Sequence, residues 1–108
     1  MSSFDEREQG FEAKYKHDQE TVFKVTARRN RLLGLWAAEQ LGLSGAEADA
    51  YAKSIVAADF EKPGDDDVLH KVMTDLSAKG VQVTEHALRK RLADLTQTAR
   101  EQVAKQSG

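Results

Sequence analysis

The sequence contains no cysteine, which excludes disulfides, thiolate metal sites and cysteine nucleophiles together. It has one proline, Pro63, so almost nothing in the chain forbids long uninterrupted helices. No stretch approaches the roughly 18 to 20 consecutive apolar residues that span a bilayer. The N-terminus is charged from Asp5 onward instead of carrying a secretory apolar region, so the chain reads as cytoplasmic, at most peripheral to a membrane, with no direct membrane insertion. Catalytic signatures are also missing. There is no GxSxG elbow or Ser/Lys pair, no HxxxH or HExxH among His17, His70 and His86, and no glycine loop that could cradle phosphate. These absences leave no candidate active site and read as a binding or regulatory module, not an enzyme.

What is present is helical material. The 108 residues, 40% hydrophobic and 31% charged, suit one small soluble domain. Ala, Leu, Lys, Glu, Asp and Arg dominate, with few β-branched runs. The net charge of −2 argues against nucleic acid as a partner. Its distribution is uneven: residues 1–20 sum to −3 and residues 21–42 to +3. Basic segments of this kind are candidates to lie against acidic ones, within the fold or on a partner.

Four amphipathic periodicities follow one another, at about 21–41, 45–61, 66–79 and 85–104. In the first, Val22, Val25, Leu32, Leu33, Trp36, Ala37 and Leu41 recur at helical spacing, and Gly42 stands where a left-handed cap would follow. Ser44 and Glu47 have the spacing of a capping box for the second, whose inward residues are Ala48, Tyr51, Ala52, Ile55 and Ala58. Pro63 closes it. Asp65, Asp66 and Asp67 supply an N-cap and first-turn charge to the third helix, which carries Val68, Leu69, Val72, Met73 and Leu76. Thr84 caps the fourth, with Leu88, Leu92, Leu95, Ala99 and Val103 inward. The expected fold class is all-α, a four-helix bundle joined by short connections. Gly34, inside the first helix, signals close approach of another helix.

Two clusters carry charge that could be chemistry. Asp65, Asp66, Asp67 and His70 resemble a hard-metal cluster, but calcium-loop spacing is absent and helix capping accounts for the acids, so no metal is expected. Arg28, Arg29 and Arg31, with Arg89, Lys90 and Arg91, could hold the phosphates of ATP or ADP as a regulatory ligand, no other cofactor being indicated. The ordinary alternative is a solvated helix face paired with neighbouring acids.

Residues 1–20 stand apart. Phe4, Phe11 and Tyr15, three of seven aromatics, lie on one side of a helix among charges, with Gly10 in their midst at a cost of about 1 kcal/mol relative to Ala. Three apolar anchors make such a helix marginal on its own. The segment is expected to be disordered or weakly helical until it docks on the bundle or on a partner.

ARRNRLLGLWAAEQLG followed by AEADAYAKSIVAADFEKPGDDDVLHKVMTDL, with FDEREQGFEAKYKHDQE before them and HALRKRLADL after, closely resembles an alphaproteobacterial ATP synthase inhibitor family, that of the zeta subunit, over about residues 3–96. The resemblance implies a four-helix bundle, monomeric when free, anchored outside the catalytic head of the F-type ATP synthase and so peripheral to the inner membrane. Its N-terminal segment would insert between subunits of the head and block rotation in the hydrolytic direction. Phe4, Phe11 and Tyr15 would then fill apolar pockets while Asp5, Glu6, Arg7, Glu8, Glu12 and Lys14 set the register by charge.

Overall fold

The computed structural model describes the backbone of residues 2–61 and 64–107 and the side chains of residues 19–61 and 64–106. Within them the chain forms four α-helices: α1 Ser2–Gln40, α2 Gly45–Glu61, α3 Asp65–Ala78 and α4 Glu85–Ser107. Val81–Thr84, the segment with strand-like alternation, forms no strand and leads into α4. The all-α class expected from composition and periodicity is therefore the class observed.

Helix α1 differs in length from the expectation. It begins at Ser2 and not near residue 21, giving 39 residues. No proline interrupts the stretch, and Gly10 alone weakens helix propensity without breaking the ladder. The side chains of residues 1–18, and with them the expected marginal order of the segment, lie outside the described residues, as does the stop at Pro63. Helix α2 ends at Glu61, two residues before that proline.

Corners α1/α2 and α3/α4 are built alike. Gly42 at φ 78° and Gly80 at φ 77° adopt the left-handed conformation that residues with a Cβ avoid. Each is followed by a residue whose N–H donates back into the helix: Leu43 to the Ala38 carbonyl and Val81 to the Leu76 carbonyl, both at 2.9 Å. These bonds satisfy carbonyls that the helix ends leave open. Thr84 caps α4 as its position suggests, its Oγ1 accepting from the Ala87 N–H at 3.1 Å. Helix α3 departs from expectation. Its N-cap is Gly64, with no side-chain capping bond, and Asp65, Asp66 and Asp67 occupy the first turn, facing the positive end of the helix dipole.

The core is contiguous. Leu33, Ala37, Ile55, Val68, Leu69, Val72, Leu76, Leu88 and Leu92 are buried together, and Trp36, Leu41, Tyr51, Met73, Val81, Val83 and Leu95 pack against them. Helix α1 is the spine of this arrangement, packing chiefly on α2 and α4. Its pairs with α2 descend in number as α1's rise, Phe23 meeting Phe60 and Gly34 meeting Ala52, so the two run antiparallel. At Gly34 the approach is as tight as its position suggested: a Cβ there would lie 2.6 Å from Ala52 Cα.

One expected core residue is not in the core. Val22 belongs to the apolar stripe of α1 but is 64% exposed, and neighbouring Phe23 is 54% exposed. Phe23 sits beside Phe60, Val103 and Gln106, near the ends of α2 and α4. The stripe continues toward the N-terminus past the point where its partners stop.

Candidate functional site

Where α2 and α4 end, α1 contributes Phe23, Lys24, Ala27, Arg28 and Arg31 to an open groove of about 640 Å³. Val56, Ala57, Phe60 and Lys53 of α2 and Val103 and Gln106 of α4 complete it. Phe23 and Ala27 on α1 and Val56 and Phe60 on α2 recur at helical spacing, and Val103 of α4 joins them, so three helices converge on one apolar strip. Phe23 and Phe60 meet edge to face, with ring centroids 5.2 Å apart and planes at 68°.

The rim is cationic. Arg28 donates to Gln102 Oε1 at 3.0 Å and to Gln106 Oε1 at 2.8 Å, neutral amides that fix the guanidinium without cancelling its charge. Arg31 at 3.4 Å and Lys53 at 3.2 Å both reach Asp49, two cations sharing one carboxylate. With Lys24, four cations line the groove, and the single carboxylate paired with them among the described residues, Asp49, leaves a surplus of positive charge.

Behind it a smaller cavity of about 170 Å³ shares Phe23, Ala27, Val56 and Phe60 and is lined also by Asn30 and Asp59. Asn30 is only 1% exposed. Its Oδ1 accepts from Arg29 Nε at 3.2 Å and Nη2 at 3.0 Å, while Nδ2 is a buried donor without a hydrogen-bond partner. Such a donor costs about 1–3 kcal/mol of lost solvation.

The six cations singled out in the sequence are not gathered in one place. Arg28 and Arg31 border the groove. Arg29 is buried and turns to Asp65 at 2.9 Å. Arg89 pairs with Asp66 at 2.6 Å and Glu85 at 2.8 Å, hydrogen bonds that raise its pKa, the Asp66 bond most. Arg91 lies 4.7 Å from the centre of the Trp36 ring in a cation–π contact, and Lys90 is exposed. Of the acids at the start of α3, Asp65 is thus engaged with Arg29 and Asp66 with Arg89. Among the described residues no group of three His, Asp or Glu side chains is placed to hold a metal ion.

One further polar cluster joins α2 to α3. The Tyr51 hydroxyl donates to Asp75 Oδ2 at 2.7 Å, and Lys71 reaches the same oxygen at 3.3 Å while lying over the Tyr51 ring. Burial first, and then the Asp75 carboxylate, push the phenol pKa well above its ordinary value. Tyr51 is therefore a fixed donor bracing two helices, unsuited to act as a base.

The partner-binding residues expected at Phe4, Asp5, Glu6, Arg7, Glu8, Phe11, Glu12, Lys14 and Tyr15 carry side chains outside the described residues. Sequence reasoning missed Phe23, Phe60 and Lys53. A signal existed: Val22 and Phe23 are adjacent, about 100° apart on a helix, and both cannot face one narrow core stripe.

The chain matches the family model described as ATPase inhibitor subunit zeta over residues 1–102. A search of curated proteins finds no match. Among solved structures, a protein determined by solution NMR is 46% identical, with 78% of this chain and 95% of that one covered and a TM-score of 0.68. The family match takes in the N-terminal segment and the α1 and α2 walls of the groove, and stops one residue short of Val103 on α4. Among the described residues no helix is long and apolar enough to cross a membrane.

Proposed function

Since this chain belongs to the ATPase inhibitor subunit zeta family, we propose that it restrains ATP hydrolysis by the F-type ATP synthase by inserting residues 1–18 at a catalytic subunit interface while the bundle stays outside the head. The inhibitory, regulatory role follows from the family; the insertion is supported by how the chain divides its residues. Every buried residue among those described lies at or after Arg29, so the described core makes no use of residues 19–28 as buried elements, and α1 runs from Ser2. A bundle that closes on the later part of α1 frees the earlier part for a partner.

The chemistry of the segment suits that task. Phe4, Phe11 and Tyr15 offer apolar anchors on one helical side, and Asp5, Glu6, Arg7, Glu8, Glu12 and Lys14 offer charges of both signs for register. A helix of about 1.5 Å rise per residue gives 18 residues a reach of about 27 Å, enough to enter a subunit crevice that a bundle could not. Association with the synthase would hold the protein at the membrane surface with no span of its own.

The test is hydrolysis by the matching catalytic head in the presence of the full chain and of a chain lacking residues 1–18. Inhibition is expected with the first and absent with the second, whose far-ultraviolet circular dichroism should remain helical. Inhibition retained by the shortened, folded chain refutes insertion.

A further inference from the structure

The groove between α1, α2 and α4 combines three properties that a finished surface seldom shows together. Val22, Phe23 and Phe60 are 64%, 54% and 61% exposed, the exposed large hydrophobics among the described residues. Phe23 and Phe60 meet in the groove, with Val22 next to Phe23 in the chain, and exposed apolar residues gathered in this way mark interaction sites. The rim carries four cations, of which two share the carboxylate of Asp49. Asn30 Nδ2, buried behind the Phe23–Phe60 pair, has a hydrogen to donate and no acceptor.

We propose that this groove is the docking surface by which the bundle grips the catalytic head, and that its occupant is a helix of the head presenting an apolar stripe flanked by Asp and Glu. The inference rests on the reading that the chain is an ATP synthase inhibitor, and it assigns the anchor that reading leaves open. The apolar strip takes the stripe, as in helix-in-groove recognition. Lys24 and Arg28, whose charges no carboxylate neutralises in the contacts described, and the surplus charge of the Arg31/Lys53/Asp49 group take the flanking acids. Phe23 lies five residues beyond residue 18, about 7.5 Å along α1, so a head that receives the segment is already beside the groove.

A small anion is the other class of ligand that a cationic rim suggests. The geometry favours the helix. Phosphate recognition gathers donors at one point, whereas here Arg28 turns toward Gln102 and Gln106 of α4 and Arg31 and Lys53 turn toward Asp49 of α2, so the cations point to different helices along the strip. The floor between them is aliphatic and aromatic.

The experiment measures the Kd of the full chain for the isolated catalytic head, for the parent and for Phe60→Glu, Lys53→Glu and Lys79→Glu. Phe60 and Lys53 are exposed, so the folded state should survive, and thermal melts verify that. Phe60→Glu is expected to raise Kd roughly tenfold or more, and Lys53→Glu about threefold to tenfold with a weakened salt dependence, whereas Lys79→Glu, the same charge change at the α3/α4 corner, leaves it unchanged. A Kd within about twofold of the parent for both groove variants overturns the proposal. So does unchanged head binding accompanied by loss, in Phe60→Glu, of chemical-shift changes on ATP or ADP titration, which would make the groove a small-molecule site. The insertion reading is separately exposed by Phe4→Ala with Phe11→Ala: inhibition intact there, with Phe60→Glu still weakening binding, rejects insertion and upholds the groove.

Discussion

Around Leu33 and around Phe23, helix α1 carries apolar residues at helical spacing, yet the two regions end in opposite environments. Leu33, Ala37 and Ala38 are wholly buried, and Gly34 is in near contact with the α2 backbone. Ten residues earlier Val22 and Phe23 are more than half exposed. The earlier turns are interspersed with Glu20, Lys24 and Arg28 while 32–38 is unbroken by charge, but Val22 and Phe23 are apolar all the same. What leaves them uncovered is that α2, α3 and α4 surround the later turns, while α2 and α4 end beside the earlier one. An apolar stripe records that a face is meant to be covered, and the cover can come from the chain itself or from another molecule.

If that contrast is real, equal truncations at the two ends must have unequal effects on stability. Leu33→Ala removes a fully buried side chain from the centre of the core and should cost about 2–5 kcal/mol in chemical denaturation. A cost below about 1 kcal/mol would mean that the core collapses freely there, and the comparison would fail at its better-defined end.

Gly34 sharpens the same contrast from the side of added atoms. In an exposed helix Gly→Ala stabilises by about 1 kcal/mol. At Gly34 the new methyl would stand 2.6 Å from Ala52 Cα and 3.2 Å from an Ile55 side-chain carbon, and backbone cannot move aside as a flexible side-chain end can. Gly34→Ala should therefore destabilise by about 1–3 kcal/mol despite its propensity gain, measured by the shift in urea midpoint at constant m-value.

Much of this architecture could be read from the sequence because it rests on local rules. Gly42 and Gly80 stand where only a left-handed residue ends a helix comfortably, Thr84 has the spacing of a cap, and Gly34 interrupts a run in which no flexible turn is wanted. The buried faces of α3 and α4 followed from spacing alone, from Val68 to Leu76 and from Leu88 to Val103. Partner choice did not follow. Arg28, Arg29 and Arg31 read as one patch along the chain, but steps of about 100° per residue send them to α4, α3 and α2 respectively. The acids of α3 were read as supplying its cap, yet Gly64 holds that place and Asp65 and Asp66 face Arg29 and Arg89, pairings across 36 and 23 residues that no local rule could anticipate. The groove was missed for the same reason, since Phe23, Phe60 and Val103 meet only after three helices have packed.

The Tyr51–Asp75 contact tests the covered region through pH. In the folded protein the phenol pKa is raised by burial and by Asp75, whereas the unfolded chain titrates near the ordinary value of about 10. Above that value the folded state retains a proton that the unfolded state has released, so stability must fall with rising pH from about 10 toward the folded pKa, and the contribution is complete below it. Tyr51→Phe should cost about 0.5–1.5 kcal/mol at neutral pH, because the partly exposed Asp75 keeps Lys71, and should flatten the alkaline limb of the stability profile. An alkaline limb as steep in Tyr51→Phe as in the parent would assign that loss to lysines elsewhere.

The smallest effect is expected where the surface looks most hydrophobic. Phe23 and Phe60 touch edge to face, a geometry worth about 0.5–1.5 kcal/mol between buried rings. Here both rings are more than half exposed, so much of their apolar area stays in water in the free protein and folding gains little from it. Phe60→Ala should consequently lower stability by less than about 1 kcal/mol, a fraction of the Leu33→Ala cost although a larger side chain is removed. Truncation at Phe60 also widens the way to Asn30 and lets water reach its unpartnered Nδ2, which offsets part of even that small loss. A loss of 3 kcal/mol or more in thermal and chemical unfolding, about the cost of truncating a core ring, would show that the aromatic pair holds the end of the bundle closed in solution, and the two regions of α1 would then differ in degree and not in kind.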